Sequence, residues 1–479
     1  MSRSAFVFAA LLTLIVAFYV VEKVRGNATW KKYQTEARAR GAKLTMAEYV
    51  PPPVADERNY AAIPLFQDMF KNPTPANPLA WPQISGIKQP PFDSVAKGER
   101  IDLAAWQKFF VEVKMLPAAG ESAPRDVLQA LEKYAPQFEQ LRLAGARPEC
   151  RFPVRYEDGA AAALPHLQLI QSGARLYALR LAAHLALGDS PAAYEEFRSG
   201  FRLYTALEKE PTLIAGLVRL SSLGILENAV WGGLAQRQWG AAELEKIGAD
   251  LARVRLMDDY ALGLGSERGF TNMVHDQMLQ KGAGEIASMI SMSSGAGSAP
   301  NAAATTAMVG LYPTGWVRQS QTRANRYLDE MLARVTQEPP RVFTDRAVPS
   351  LPLPITSVST FERVRYVLFF LFAPSLNELE RSYAYGQTLL DQTRLGCALE
   401  RHRLAQGRFP ATLDALVPTL LQTLPRDVMN GAPLFYQVTP EGGFSIYSVA
   451  WNLTDDAGKS DPKLNTKQQP DWVWTVPGK

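Results

Sequence analysis

Eighteen consecutive residues, Ser4 to Val21, carry no charge, and they stand at the head of a chain of 479 residues. As a helix this run is about 27 Å long, close to the roughly 30 Å of a bilayer's hydrocarbon core. Three readings stay open on sequence alone. They are a single-pass membrane anchor, a signal peptide cleaved near the small-x-small triplet Gly26-Asn27-Ala28, and a buried core helix. The charged stretch Glu22-Lys23-Val24-Arg25 makes a poor cleavage region, and an extreme N-terminus is a poor place for a core helix, which favours the anchor. No cysteine follows the run until Cys150, which excludes a lipidated-cysteine anchor.

Charge sharpens the address. Residues 1–60 hold nine Lys/Arg against five Asp/Glu, so the whole formal charge of +4 lies there and the remainder balances. A balanced body is a poor binder of phosphate backbones, and no nucleic-acid partner is expected. Six Lys/Arg follow the run within twenty residues, whereas only Arg3 and the amino terminus precede it. Counted alone, that asymmetry places the body in the cytoplasm. The signal-like position of the run places it outside. The expectation taken forward is a bacterial cytoplasmic membrane protein, single-pass through residues 4–21, with a periplasmic body.

Downstream the pattern is mainly α. Residues 29–40 read as a polar helix ended by Gly41, and six prolines between Pro73 and Pro91 make an extended segment. Asp102 is placed to cap a helix running to Met115, and another is expected from Pro124 to Leu143. From about Ala160 to Leu279 helical spacing dominates. Ala174–Leu187, the turn Gly188-Asp189-Ser190-Pro191 and Ala192–Glu208 form the clearest hairpin, with Tyr194, Phe197, Phe201 and Tyr204 along one face. The turn and the positions Gly188, Ala193, Phe197 and Gly200 resemble one tetratricopeptide hairpin. No second copy recurs at a 34-residue period, so an irregular helical array is expected. The aromatic face reads as a peptide groove or as helix–helix core, with core favoured. Gly282–Met308, with Glu285 its sole charge, reads as a loop or lid, and Trp316–Val335 as a helix. Five prolines in Pro339–Pro354 give linker composition. The expected organisation is an anchor (1–28), a helix with a proline-rich extended segment (29–123), a helical body (124–338), a linker (339–360) and a small α+β module (361–479).

In that module a helix over Leu376–Ala405 leads to Gly407-Arg408-Phe409-Pro410 and then Leu413-Asp414-Ala415-Leu416-Val417-Pro418. Pro425-Arg426-Asp427 and Asn430-Gly431-Ala432-Pro433 follow. Alternation in Leu434–Val438 and Phe444–Val449 around Thr439-Pro440-Glu441-Gly442-Gly443 predicts a β-hairpin. The order of these motifs over residues 376–458 resembles the globular domain of the major pseudopilins of type II secretion, where a long helix ends in a Gly-x-[Phe/Tyr]-Pro turn and packs on a small antiparallel sheet. No prepilin cleavage signature precedes the module. The resemblance implies a calcium site at Ser448, Asp455 and Asp456, since calcium takes oxygen ligands gathered from one loop, and Asn452 is placed to add a side-chain oxygen. Ala450 stands where the related pattern has glycine. A solvated Asx-type turn is the alternative reading of the same residues.

Catalytic signatures are sparse. Gly263-Leu264-Gly265-Ser266-Glu267-Arg268-Gly269 fails the dinucleotide fingerprint, with Arg268 at the third glycine, and fails the nucleophile elbow, with Leu264 two before Ser266. A helix contact with Glu267 and Arg268 paired is expected instead. His275-Asp276 is half of an acid–base pair without a third member. His166, His184 and His402 read as structural, and Cys397 as a buried thiol. The two cysteines exclude a disulfide framework, and their pairing stays open. Two functions are carried forward: a membrane-anchored protein that contacts other envelope proteins as a scaffold, linked to a secretion or pilus-like system, and an envelope hydrolase with its site near Glu267 and His275.

Overall fold

A computed structural model of the chain describes residues 3–72, 75–92, 100–282, 312–346, 348–349, 358–461 and 463–478. Helices dominate. They are α1 (Arg3–Ala39), α2 (Pro64–Gln67), α3 (Leu103–Glu112), α4 (Ala123–Leu131), α5 (Ala135–Ala144), α6 (Pro165–Ala186) and α7 (Ser190–Ala206). Then come α8 (Leu213–Ala235), α9 (Ala241–Leu251), α10 (Leu256–Lys281), α11 (Thr314–Ala333), α12 (Thr360–Arg365) and α13 (Val367–Gln406). Strands β1 (Val335–Gln337) and β2 (Pro340–Val342) pair in one hairpin, and β3 (Phe435–Val438), β4 (Phe444–Ser448) and β5 (Trp472–Val476) form an antiparallel sheet in that order. The body is thus mainly helical, with a small sheet module near its C-terminal end.

The expected anchor and the expected polar helix are one element. α1 runs through the expected boundary at residue 28 without a break and ends before Gly41, whose φ of 78° suits glycine. Its first half is exposed, Phe6, Leu14 and Val21 included, and is apolar enough to cross a membrane by length and composition. Its second half buries Glu22, Gly26, Trp30, Tyr33 and Ala37, a one-sided stripe at helical spacing. That stripe lies on α11. The backbones touch where Gly26 meets Gly315: a Cβ on Gly315 would stand 1.9 Å from the Glu22 carbonyl oxygen. α8 also passes the membrane test on composition, yet it carries Leu223, Leu226, Val230 and Leu234 into the core.

Two cores share a wall. One gathers residues from Met46 to Ala215, and the other gathers residues from Ala178 to Val476. The hairpin α6–α7 belongs to both, with Leu176 and Leu203 turned one way and Leu181 and Phe197 the other. Phe197, Phe201 and Tyr204 are buried and their rings stack at 5.7 and 5.3 Å, so the aromatic face is helix–helix core. Asp102 caps α3 through Ala104 and Ala105, and Asp189 caps α7 through Ala192. The helix expected over Pro124–Leu143 is divided at Glu132–Tyr134, where a 3-10 turn separates α4 from α5.

The expected linker opens as structure. β2 supplies Val342, buried to 1% exposure, and its N–H donates to the Val428 carbonyl at 2.8 Å. The core containing Leu181 and Trp474 is continuous between the helical body and the C-terminal module. Of Gly282–Met308, expected as loop or lid, residues 283–308 lie outside the described residues.

β4 is buried throughout, pairing Val438 with Phe444 on one side and Ser448 with Trp472 on the other. Gly396 of α13 admits the Trp474 ring, which a Cβ would meet at 2.1 Å. Gln392 ties α13 to the sheet by donating to the carbonyls of Ile446 and Trp472 at 3.2 and 2.7 Å.

Candidate functional site

A cleft of about 870 Å³ opens where α9, the start of α10, the β1–β2 hairpin, α13 and residues 419–426 meet. A site of that volume is in the range that holds a small ligand or a few residues of a peptide. Its floor comes from a single face of α13. Gln387, Asp391, Arg394, Ala398 and Arg401 recur at +4, +3, +4 and +3, the spacing that brings side chains into line on a helix. Gln387 donates to Asp391 Oδ2 at 2.9 Å and Arg394 to Oδ1 at 3.3 Å. Burial pushes the Asp391 carboxyl up to about 6, with Gln387 and Arg394 restraining the rise.

Distant segments close the walls. Arg401 donates to Glu245 of α9 at 2.7 Å, and Arg255 engages both Glu338 of the hairpin and Asp258. Arg426 donates to the Gly431 carbonyl at 3.1 Å. Gly248 keeps one wall low, since nothing lies within 4 Å of where its Cβ would be. Four guanidinium groups therefore line the cleft among four carboxylates. Guanidinium forks pair with carboxylates and carbonyl oxygens, and these four make such pairs within the chain itself. Cys397 lies at the floor, but burial pushes its thiol up to about 12 and keeps it protonated at neutral pH.

Of the residues expected to bind calcium, Asn452 and Asp456 come together, while Ser448 and Asp455 are held by other partners. Successive side chains of a strand point to opposite faces, and β4 ends in Tyr447 and Ser448. Tyr447 Oη donates to Asp455 at 3.2 Å on one face. Ser448, fully buried, donates instead to Asp427 at 2.9 Å and accepts from the Ala450 N–H. Asn452 donates to Asp456 at 2.8 Å, spending its amide within the loop, and Asp455 also accepts from the Ala457 N–H. Among the described residues no group of three His, Cys, Asp or Glu side chains is placed to hold a metal. Ala450 does adopt the left-handed conformation, φ 50°, that glycine takes more readily, so the loop turns there despite its side chain. The turn is present at Ala450, and the side chains of the four residues are engaged in the hydrogen bonds given above.

Neither do the acid–base candidates form a centre. Glu267 and His275 sit eight residues apart on α10, about 12 Å along its axis. His275 is buried with Nδ1 2.7 Å from the Thr271 carbonyl, and desolvation lowers it to about 4; burial raises Glu267 to about 7. Ser266 donates to Gly263 within its own helix. Arg268 pairs with Asp329 of α11 rather than with Glu267, because α11 lies across α10 at that level. Gly265 and Gly269 give room to the turn at Met46–Glu48: a Cβ on Gly269 would meet the Met46 nitrogen at 2.8 Å. His184 lies 3.6 Å from Glu196, and His402 faces the Arg408 carbonyl. Cys150 and Cys397 are both free thiols, packed against separate cores.

Of the cleft residues, Cys397 and Arg426 are marked from sequence, but neither is assigned to a site. A signal existed in α13, where Gln387, Asp391, Arg394 and Arg401 interrupt an apolar helix at one-face spacing. No protein-family model, curated protein or solved structure matches the chain.

Proposed function

We propose that this chain is a membrane-anchored envelope protein that holds other polypeptides at the membrane surface, a scaffold or interaction component linked to a secretion or pilus-like system. Residues 4–21 span the cytoplasmic membrane and the body stands on its periplasmic side. One observation carries the reading: α1 passes unbroken from an exposed apolar half into a buried half that is part of the body. A tether for a mobile enzyme needs no such mounting, whereas a scaffold gains from a body fixed in orientation to its membrane. The cleft, lined by paired arginines and carboxylates, supports a polypeptide as what is held. The α6–α7 hairpin, turning at Gly188 with φ 79°, supports the tetratricopeptide-like reading of the body. A 40-residue helix ending at Gly407, then Phe409-Pro410 and an antiparallel sheet, supports the pseudopilin-like reading of the module.

The test is site-specific photocrosslinking in native membranes, with p-benzoylphenylalanine at Gly248, where space is open, and at Leu143 as an exposed control. Polypeptide adducts at Gly248 that are missing at Leu143, and that Arg394→Ala with Arg401→Ala abolishes, are expected. Identical adduct patterns at both positions would overturn the reading.

A further inference from the structure

α12 begins at a serine cap, the Glu362 N–H donating to Ser359 Oγ at 3.2 Å, and lasts six residues. It buries none of them. Phe361 and Val364, three apart on one face, are 54% and 51% exposed. A helix this short has no stability of its own, so other groups must hold it in place.

What holds it is the point where α1 leaves its apolar run. Arg365 donates to Gln319, and its guanidinium lies 3.7 Å from Glu22, the first charge after that run. Trp316 donates from Nε1 to the same carboxylate at 3.0 Å, and Gln319 does so at 2.8 Å. Tyr312 donates to the Arg365 carbonyl at 2.6 Å. Edge-to-face rings then run from Phe18 through Trp316, centroids 5.9 Å apart, to Phe361, a further 5.6 Å. Phe18 is in the last turn of the apolar run, so the indole and Phe361 stand at the depth of its outer end. Indole and phenyl rings with a nearby charge are what the bilayer interface accommodates, and Arg363, Lys23 and Arg25 are set to meet headgroups there.

We propose that α12 is a second lipid contact, with Phe361 and Val364 inserted at the headgroup–acyl boundary beside the anchor. The inference rests on α1 spanning a bilayer. Its consequence is orientation: the unbroken α1 fixes the body to the anchor, and a second contact also fixes the tilt of the two against the bilayer.

The full chain is reconstituted in phosphatidylethanolamine–phosphatidylglycerol vesicles with a polarity-sensitive fluorophore on Phe361→Cys, Val364→Cys, Val16→Cys or Ile214→Cys. Burial pushes both native thiols up to about 12, so the exposed introduced thiol takes the label. Lipids brominated near the headgroup end should quench positions 361 and 364, deeply brominated lipids should quench 16, and neither should quench 214, an exposed apolar position on α8. Quenching at 16 without quenching at 361 and 364 overturns the proposal while the anchor stands. Failure at 16 as well overturns the anchor with it. Protection of 361 and 364 from aqueous iodide without lipid quenching means that a second copy covers the patch, and also overturns it.

Discussion

His166 and Glu210 face each other inside the first core, Nε2 3.9 Å from Oε2, with the imidazole stacked on Phe152 at 4.1 Å. Burial lowers the imidazole to about 3 and raises the carboxyl to about 7, against which Tyr156, donating at 2.6 Å, and Arg151 pull it down. The two act on stability with opposite sign. Between the unfolded carboxyl value, about 4.3, and 7 the folded chain keeps a proton that the unfolded chain has lost, so stability falls as pH rises. Between 6.5 and about 3 the unfolded chain binds a proton that the folded imidazole refuses, so stability falls as pH drops. The slopes oppose each other where the windows overlap. Relative to the parent, Glu210→Gln should therefore shift the slope of stability with pH upward from about 4.5 to 6.5, and His166→Leu should shift it downward over the same range. Each change is on the order of 2–3 kcal/mol relative to the parent. Melting curves across that range that stay parallel to the parent's would mean that the pair is not buried as described.

The crossing of α1 and α11 has its own test. Because a Cβ at Gly315 would run into the backbone of Glu22, Gly315→Ala must push the helices apart and strip Glu22 of its partners. Overpacking of this kind costs about 1–3 kcal/mol, and orphaning buried donors adds to it. Full-length protein in detergent should melt lower for Gly315→Ala, and Gly248→Ala, made inside α9 where space is open, should melt at or slightly above the parent. Equal melting of Gly315→Ala and the parent would mean that α1 does not dock there. Much of this element was legible in the sequence. The apolar run, the polar continuation to Gly41 and the helix at Trp316 all show in periodicity and punctuation. Their joining did not, because Glu22 reads as the first solvated charge after a span until Trp316 and Gln319, nearly three hundred residues on, supply its hydrogen bonds. β5 was missed although Trp472, Trp474 and Val476 alternate inward, and the cleft was missed because Arg255, Glu338 and Arg426 meet α13 only through tertiary packing.

In the proposed reading, the molecule is a body mounted at one end on its anchor and worked from another. α13 links them. It starts directly after α12, and the cleft residues Gln387 to Arg401 lie about 30–50 Å farther along its axis. On that proposal, a partner in the cleft would be kept at a set distance from the membrane edge only if α1 remains whole, because Glu22, Gly26 and Trp30 are as much part of the body as Trp316. The proposed periplasmic side predicts that protease added to intact spheroplasts digests the body, and survival until permeabilisation would place it inside. The most direct measurement is the intact mass and N-terminal sequence of the protein extracted from its native membrane. Retention of residues 4–21 on a folded body is the predicted result. A folded, membrane-free body beginning at or after Ala28 would contradict it.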